Sequence, residues 1–444
     1  MSINKTFFLS FQITLKRLLR CSLIAVPVAV AIGSAVALFM WLLNWAIHFR
    51  FAHPWLLYFL PLTGVAIYLA YKYWGDTANR GNNLIMDEIH QPGGGVPKRM
   101  TPFVLIATVV THLFGGSAGR EGTAVQMGGS IAQAFSKWFK LNTADTAVIL
   151  IAGIAAGFGA VFGTPLTGAL FAMEVLTLGR IQYKNAWLPC LVAGIVADCT
   201  FTAWGLHHTA YHITIDKAIP HLYHNYFPFD GLLLAKVIVA SIAFGMASWF
   251  FSVSVHGVKD VFNKFIAPKW AIPALGGLII IALTFIIGKP DYLSLGVNAE
   301  YPGAITISSA FNSGGADTWS WLWKTIYTTI TLGTGFKGGE VTPLFYIGAT
   351  LGNSLSVLMD APVALFAALG FIAVFAGATN TPLACTLMGV ELFGAQYALF
   401  FAVACFTAYL FSGHGGIYVS QQKNTVHFID EGYLARKLKR YTRR

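Results

Sequence analysis

Residues 115–123 read GGSAGREGT and residues 334–342 read TGFKGGEVT, so a glycine-rich stretch with one glutamate occurs once in each half of the chain. At an offset of 219 residues, the two stretches and their continuations share the pairs Gly116/Gly335, Gly119/Gly338, Glu121/Glu340, Thr123/Thr342 and Gly129/Gly348. A second echo has an offset of 217, where residues 164–166 and 381–383 both read TPL and Glu174 matches Glu391. Two echoes at almost one offset predict an internal repeat. Transporter folds are often built from inverted repeats whose discontinuous helices meet near the middle of the membrane.

Both stretches lie in a strongly apolar chain. Of its 444 residues, 56% are hydrophobic and 11% are charged, against roughly 25% charged residues in an ordinary soluble domain. Apolar runs long enough to cross a hydrocarbon core of about 30 Å recur throughout; the clearest are 22–49, 55–71, 149–176, 186–204, 232–251, 270–287, 319–332, 362–376 and 387–411. The composition predicts a polytopic membrane protein, although glycine and proline inside the runs leave the number of spans open.

The formal net charge of +11 is concentrated at the two ends of the chain. Basic residues precede the first apolar run (Lys5, Lys16, Arg17, Arg20) and close the chain (Arg436, Lys437, Lys439, Arg440, Arg443, Arg444). Cytoplasmic segments of membrane proteins carry an excess of lysine and arginine, so both ends are expected in the cytoplasm. Their expected partner is anionic lipid rather than nucleic acid. The first apolar run is too long for a cleaved signal peptide.

These features predict five segments. They are a basic cytoplasmic segment at 1–20, a first membrane repeat at 21–205, a His-rich loop at 206–230, a second membrane repeat at 231–420 and a basic cytoplasmic tail at 421–444. The predicted fold is all-α, with two inverted-topology repeats whose broken, tilted helices meet at an anion site near the membrane midplane.

The stretch Gly119-Arg120-Glu121-Gly122-Thr123 has the chemistry of an anion site. Glycines before an apolar run can open a helix N-terminus, where unpaired backbone N–H groups and the positive end of the helix dipole bind anions. A glutamate in that first turn can place its own carboxylate there, and protonation would release the carboxylate and admit the ion. Glu121 would then couple anion entry to proton binding. A capping glutamate beside helix-packing glycines is the alternative, but an intramembrane carboxylate is costly and favours a functional role.

Two further helix starts are predicted. In the second half, Pro343 suits the first turn of a helix, so the N–H groups of Glu340, Val341 and Thr342 could point at an ion; a simple kink is the alternative. Residues 80–85, between two apolar runs, offer a third start, where capping by asparagine alone is the alternative.

Over nearly its whole length the chain resembles the CLC-type anion channels and transporters. Chloride-handling members carry the motifs Gly-Ser-Gly-Ile-Pro, Gly-Arg-Glu-Gly-Pro and Gly-x-Phe-x-Pro and a late pore tyrosine. The corresponding stretches here are Gly81-Asn82-Asn83-Leu84-Ile85, Gly119-Arg120-Glu121-Gly122-Thr123 and Gly339-Glu340-Val341-Thr342-Pro343, with Tyr418 as the tyrosine. Asparagine for the chloride-binding serine, threonine at the end of the second motif and Glu-Val-Thr in the third resemble the fluoride-selective bacterial branch.

The resemblance implies a homodimer in the bacterial inner membrane, with one anion pathway in each subunit and no cofactor. Glu121 would be the gating and proton-coupling carboxylate, and Asn82, Tyr418, the backbone around Val341 and the side chain of Thr342 would line the anion path. The implied activity is one-for-one exchange of fluoride for protons, which would remove toxic fluoride from the cytoplasm. A chloride/proton antiporter or a passive anion channel of the same family is the alternative. Fluoride is small and strongly hydrated, and amide and hydroxyl donors are suited to replace its water.

One departure from the family concerns the proton path. Many chloride antiporters have two adjacent glutamates where this chain reads Met173-Glu174-Val175, and the second is their inner proton relay. Val175 cannot carry a proton, so either Glu121 performs more of the transfer or Glu340 assists it. Glu340 is favoured because it is a second carboxylate close to the predicted ion site. Glu174 and its echo Glu391 are predicted to be structural, buried and hydrogen-bonded.

The remaining signals are weak. Five histidines suggest a metal, but their stretch lacks acidic or thiol ligands at fixed spacing and is predicted to be a solvated loop; they are His207, His208, His212, His221 and His224. The five cysteines lie singly in apolar surroundings, so neither a disulfide nor a metal site is expected. An intramembrane enzyme is the alternative of a different class. Ser117 lies near His112, but no motif pairs a nucleophile with a base and an orienting group.

Overall fold

The structure is a computed structural model that describes residues 2–178, 181, 183–211, 213, 231–413 and 415–422. The first half of the described chain contains α1 (Ser2–Ala52), α2 (Leu60–Ala70), α3 (Asn82–His90), α4 (Met100–Leu113), α5 (Glu121–Trp138), α6 (Thr143–Phe162), α7 (Pro165–Glu174) and α8 (Trp187–Ala203). The second half contains α9 (Gly231–Phe265), α10 (Ala271–Ile287), α11 (Ser320–Gly333), α12 (Val341–Met359), α13 (Val363–Thr379), α14 (Pro382–Phe393) and α15 (Ala398–Phe411). The all-α prediction is confirmed for these residues.

From α4 in the first half and α11 in the second, the helices follow one another in the same order. In each half a helix ends just before the glycine-rich stretch (α4, α11), and a second helix begins at that stretch (α5, α12). A buried helix follows (α6, α13), then a short helix that starts with proline (α7, α14) and a final helix (α8, α15). The repeat predicted from the two echoes is therefore present in the architecture.

Among the residues that the structure describes, five helical stretches are long and apolar enough to cross a membrane, by length and composition. They are 14–52, 54–80, 143–162, 231–265 and 341–359. Other helices are shorter: α7 has 10 residues and α14 has 12, which correspond to about 15 and 18 Å at 1.5 Å per residue. Neither can cross a hydrocarbon core of about 30 Å alone, so each half contains the broken helices that the sequence predicted.

Two of the predicted apolar runs contain breaks. The run 149–176 spans α6 and α7, which are separated where Gly163 adopts a φ of 68° and Pro165 starts the next helix. The run 387–411 spans α14 and α15, separated at Gly394, where φ is 100°. Glycine adopts these positive φ angles without steric cost, so hydropathy continues across a point where the backbone turns.

Residues 2–20 belong to the same continuous helix as the first apolar run. The five predicted segments stay predictions. The tail from residue 423 onward lies outside the described residues, as do His212, His221 and His224.

Helix crossings in both halves depend on pairs of facing glycines. A Cβ added at Gly128 would lie 2.1 Å from the carbonyl oxygen of Gly153, where α5 crosses α6. A Cβ added at Gly348 would lie 2.0 Å from the carbonyl oxygen of Gly370, where α12 crosses α13. Small residues let membrane helices approach at backbone distance. These crossings fix α5 and α12 against the buried helices and so position the starts of both at the centre of the molecule.

Candidate functional site: an anion site between two helix starts

The carboxylate of Glu121 lies at the N-terminus of the second half's helix α12. Its Oε2 atom accepts hydrogen bonds from the backbone N–H of Thr342 at 3.0 Å and from the hydroxyl of Thr342 at 2.5 Å. The backbone N–H of Arg120 donates to the same oxygen at 3.2 Å. Glu121 is fully buried. Free N–H groups and the dipole at a helix N-terminus bind anions, and here a side-chain carboxylate occupies that position.

The starts of α5 and α12 are joined by their backbones. Gly119 N–H donates to the carbonyl of Gly339 at 2.6 Å, and Gly339 N–H donates to the carbonyl of Gly119 at 2.8 Å, which forms a single antiparallel bridge. A Cβ on Gly119 would lie 2.8 Å from the carbonyl oxygen of Gly339, and a Cβ on Gly339 would lie 2.7 Å from the nitrogen of Gly122. Only glycine fits at these two positions. The sequence predicted two glycine-opened helix starts but not that they bond to each other.

The third predicted helix start contributes Asn82. The N-cap position of α3 is Gly81, with a φ of 58°, and no side-chain hydrogen bond caps this helix. The alternative that asparagine serves only as a cap is therefore wrong for Asn82, which is the first helical residue. Its amide nitrogen lies 3.3 Å from the place where a Cβ on Gly122 would stand, and Glu340 Oε2 lies 3.6 Å from the same place. Asn82 and Glu340 thus flank the first turn of α5.

The Asn82 amide is incompletely bonded. Its Oδ1 atom is buried and has no hydrogen-bond partner among the described residues. Burying a polar atom without a partner is unfavourable, and such atoms in native structures call for water or a ligand.

Tyr418 reaches the site from the segment that follows α15. The N–H of Ile417 donates to the carbonyl of Ala378 at 2.9 Å, and the N–H of Ser420 donates to Asn83 Oδ1 at 3.0 Å, so the segment is fixed to α13 and α3. Tyr418 is buried and interacts electrostatically with the carboxylates of Glu340 and Glu121. Tyr418 therefore lies within electrostatic range of both predicted proton-coupling carboxylates.

The other predicted backbone positions are at the site, with different roles. Val341 is the first residue of α12 and is buried beside Thr342. Gly122 and Thr123 belong to the first turn of α5. The hydroxyl of Thr123 is directed away from Glu121, because it hydrogen-bonds to the hydroxyl of Thr108 on α4 at 2.8 Å. Thr123 therefore attaches α5 to α4 with its side chain and contributes only its backbone to the helix start.

Arg120 connects Glu121 to a cavity, called the vestibule below. Its Nε atom lies 3.4 Å from Glu121 Oε1. The vestibule has a volume of about 100 Å³ and is lined by the end of α1, by Arg120 and by parts of residues 291–306. His48 Nδ1 lies 2.6 Å from Glu300 Oε2 at its rim. Burial raises the pKa of the Asp291 carboxyl, which accepts a hydrogen bond from the Tyr301 hydroxyl.

Sequence reasoning missed Lys337, which lies inside the second glycine-rich stretch. Its Nζ atom donates to Asn79 Oδ1 at 2.6 Å and stands 4.4 Å from the centre of the Tyr71 ring. It also interacts electrostatically with Glu340. The sequence contained a signal for it, since an ionisable residue in a membrane segment indicates a functional site by default. That rule applies to a lysine as well as to a glutamate.

Glu174 and Glu391 have the structural role that the sequence predicted. Glu174, on α7, accepts the N–H groups of Leu383 and Ala384 at 3.0 and 2.7 Å, at the start of α14. Glu391, on α14, accepts the N–H groups of Leu166 and Thr167 at 3.1 and 2.7 Å, at the start of α7. Each carboxylate caps the short helix of the other half. Glu174 is buried, whereas Glu391 is only partly buried.

The histidines and Ser117 have packed surroundings in the described part of the chain. No group of three His, Cys, Asp or Glu residues there could hold a metal. His208 is packed against α8 rather than freely solvated, because Nε2 lies 2.8 Å from Asp198 and the ring stacks on Phe201. The Ser117 hydroxyl bonds to Thr328 at 3.0 Å. It therefore has the environment of a packing residue rather than that of a nucleophile.

Comparisons with known proteins agree with this architecture. The voltage-gated chloride channel family matches residues 62–413. A chloride/fluoride channel protein of Pseudomonas syringae pv. tomato is 47% identical over 395 residues, which are 89% of this chain and 84% of the relative. The crystal structure of a CLC-type fluoride/proton antiporter is 33% identical, with a TM-score of 0.84 over 92% of this chain and 98% of the other.

A more distant structure shares the fold. The crystal structure of a slow cyanobacterial Cl−/H+ antiporter superimposes with a TM-score of 0.76 at 21% identity, over 95% of this chain and 98% of the other. The helix order, the joined helix starts and the matches over most of the length agree with one another. The chain belongs to the voltage-gated chloride channel (CLC) family, whose members carry anions across membranes.

Proposed function

We propose that the protein exchanges fluoride for protons across the membrane, with Glu121 as both the gate of the anion path and the carrier of the proton. The observation that supports this most directly is the position of the Glu121 carboxylate, which Thr342 holds with its N–H and its hydroxyl. A carboxylate bound where an anion would bind competes with that anion. Protonation removes the negative charge and weakens these charge-assisted hydrogen bonds, so proton uptake and anion entry are linked at one residue.

The donors around this position suit fluoride. Fluoride requires short, strong hydrogen bonds to replace its hydration shell, and the amide of Asn82 and the hydroxyls of Thr342 and Tyr418 are donors of that kind. Asparagine, threonine and the Glu-Val-Thr sequence stand where chloride-handling members carry different residues. The relative that is 47% identical is named a chloride/fluoride channel protein, and the structure that is 33% identical is a fluoride/proton antiporter.

Glu340 is the second carboxylate of the proposed exchange. It lies beside Asn82 at the first turn of α5 and interacts with Tyr418 and Lys337. Val175 cannot carry a proton at the position where many chloride antiporters have a relay. Glu340 supplies a titratable group near Glu121 instead and takes part in moving the proton to the other side of the membrane.

A chloride/proton antiporter or a passive anion channel is the second candidate. The name of the Pseudomonas relative includes both chloride and channel. An H(+)/Cl(−) exchange transporter ClcA of Vibrio vulnificus is 23% identical over 69% of this chain and 68% of the relative. The antiporter and the channel would both use the same joined helix starts. The chloride/proton antiporter differs from the proposed function in ion selectivity, and the passive channel differs from it in proton coupling.

The proposed assembly is a homodimer in the bacterial inner membrane, with both termini in the cytoplasm. The outer faces of α7, α8, α14 and α15 carry large exposed hydrophobic side chains, among them Leu166, Ile195, Leu383, Phe406 and Leu410. Helices that are too short to cross the membrane benefit from a partner subunit as well as from lipid. A second copy of the chain would cover these faces.

The test is efflux from liposomes loaded with equal fluoride and chloride, with internal pH recorded at the same time. Fluoride should leave well ahead of chloride and protons should move in the opposite direction. Glu121→Gln should abolish the proton movement while anions still pass. Asp317→Asn is the control, because it also removes one carboxylate but from an exposed ion pair with Lys289. Proton pumping that persists in Glu121→Gln would refute the coupling, and equal chloride efflux would favour the second candidate.

A further inference from the structure

The side chain of Lys337 has donors that the exchange as described so far does not use. Its Nζ atom donates to Asn79 Oδ1 at 2.6 Å and stands 4.4 Å from the centre of the Tyr71 ring, which is a cation–π distance. Within the described ranges, no carboxylate forms an ion pair with it. An ammonium group carries several N–H donors, so the bond to Asn79 leaves others for a further acceptor.

The contact between Lys337 and Asn79 joins two segments that both carry predicted site residues. Lys337 lies three residues before Glu340 in the second glycine-rich stretch. Asn79 lies three residues before Asn82, in the segment that leads into α3. Asn82 and Glu340 flank the first turn of α5. The two segments therefore meet twice, once at the start of α5 and once at the ammonium of Lys337.

Exposure to solvent increases from Glu121 toward this second contact. Glu121 is fully buried, whereas Glu340 and Lys337 are partly buried and Asn79 is exposed. Lys259, which is exposed near the end of α9, and Glu340 both act on Lys337 electrostatically. The ammonium of Lys337 thus lies between solvent and the candidate site, with a second cation on its solvent side.

Lys337 and the vestibule lie toward opposite faces of the membrane. His48 and Phe51, at the end of α1, line the vestibule. The stretch 54–80 begins directly after α1 and is long and apolar enough to cross the membrane, by length and composition. Tyr71 and Asn79, which contact Lys337, belong to the far part of that stretch. The start of α1 is on the same side as Lys337, because the stretch 14–52 is also long enough to cross.

We propose that the ammonium of Lys337 is a docking site for the transported anion at a second mouth of the path, on the side of the membrane opposite the vestibule. The proposal rests on the anion path proposed above, but not on its proton coupling. An arriving anion accepts the N–H groups that Asn79 leaves free and then passes to the amide of Asn82. A positive charge at the mouth also raises the local anion concentration and the rate of entry.

The test is initial fluoride uptake by membrane vesicles in which all copies of the protein have one orientation, with vesicles that lack the protein as the blank. Inverted vesicles are expected to expose the start of α1 and Lys337 to the medium. Electrostatic steering raises association about 10- to 1,000-fold, so Lys337→Gln should lower uptake at subsaturating fluoride at least about tenfold. Right-side-out vesicles, which expose the vestibule, should change by less than about twofold because entry there does not pass Lys337.

Ionic strength and two further variants separate docking from a packing role. Sodium gluconate raises the ionic strength from about 0.01 to about 1 M, which shortens the screening length from about 30 to about 3 Å, and the loss in Lys337→Gln should then largely disappear. Lys337→Arg keeps the charge and should retain uptake. Lys269→Gln is the matched control, because the ammonium of Lys269 also bonds to backbone carbonyls and is exposed. It should leave uptake unchanged.

Asn79→Asp neutralises the ammonium without altering Lys337. Aspartate has nearly the same shape and keeps the contact at this exposed position, so uptake should fall as in Lys337→Gln; this variant decides the question alone if Lys337→Gln does not fold. Uptake at the wild-type rate in Asn79→Asp, or a loss in Lys337→Gln that is equal at both ionic strengths or in both orientations, would overturn the proposal. A protein that moves no protons, or that prefers chloride, would refute the proposed exchange, and the same comparison made with chloride would still decide the docking site.

Discussion

The hydroxyl of Thr342 is expected to determine how tightly the anion position binds its occupant. It donates to Glu121 Oε2 at 2.5 Å, in addition to the backbone N–H of the same residue at 3.0 Å. Thr342→Val keeps the shape of this buried side chain and the N–H but removes the hydroxyl. A hydrogen bond to a charged group contributes about 1.5–3 kcal/mol. At 1.4 kcal/mol for a factor of ten, losing it corresponds to about a 10- to 150-fold weaker interaction with a bound anion.

The effect on fluoride affinity is measured in a variant whose residue 121 has no carboxylate to compete with the anion. In the Glu121→Gln background, calorimetric titration should show that Thr342→Val weakens fluoride binding by about 10- to 150-fold. With Glu121 intact the effect should be smaller, because the competing carboxylate loses the same hydrogen bond. Thr342→Ser keeps the hydroxyl and is the control. Equal affinities in Thr342→Val and Thr342→Ser would show that the hydroxyl does not bind the anion and would refute the reasoning.

Three further predictions concern stability and packing. Glu174→Gln removes the charge that caps α14 and should lower the free energy of unfolding by about 1–3 kcal/mol; an unchanged thermal midpoint in detergent would contradict this. Gly348→Ala would put a Cβ 2.0 Å from a backbone oxygen and should abolish monodisperse protein on size exclusion, whereas Gly257→Ala, with open space around it, should not. Ser117→Ala breaks only the hydrogen bond to Thr328, so transport rates in liposomes should stay within about twofold, and a complete loss would contradict the packing role of Ser117.

The parts of the candidate site could be found in the sequence because each of them is local. A helix start, an acidic side chain in the first turn and an echo in the other half are all visible within about ten residues. The prediction that Glu174 is hydrogen-bonded was confirmed for a similar reason, since a buried carboxylate needs donors wherever they lie. Local rules therefore identified Glu121, Glu340 and Thr342 without any knowledge of their mutual distances.

The contacts between the halves could not be predicted in the same way. The bridge between Gly119 and Gly339 pairs positions that are not partners in the repeat, because the offset of 219 matches Gly119 with Gly338. The orientation of Asn82 depends on the positive φ of Gly81, and a glycine in sequence does not reveal its φ.

The helix breaks show a different limit. Hydropathy is continuous from α6 into α7, because a membrane protein keeps apolar residues on both sides of a break. The turn depends on Gly163 and Pro165. Glycine and proline are also tolerated inside continuous membrane helices, so their presence does not by itself predict a break. Composition therefore identified the apolar run 149–176 but not its division into a helix that can cross the membrane and one that cannot.

The exchanged carboxylate caps have a consequence for how the chain matures after synthesis. When the first repeat has entered the membrane, the N–H groups of Leu166 and Thr167 at the start of α7 still lack Glu391, which is translated more than two hundred residues later. Unpaired backbone groups cost several kilocalories per mole where no water can reach them. The first repeat is therefore an unfinished module in the bilayer, and the second is equally incomplete without Glu174. Folding is therefore complete only when the two repeats have docked, and this requires that the last helices have been synthesised.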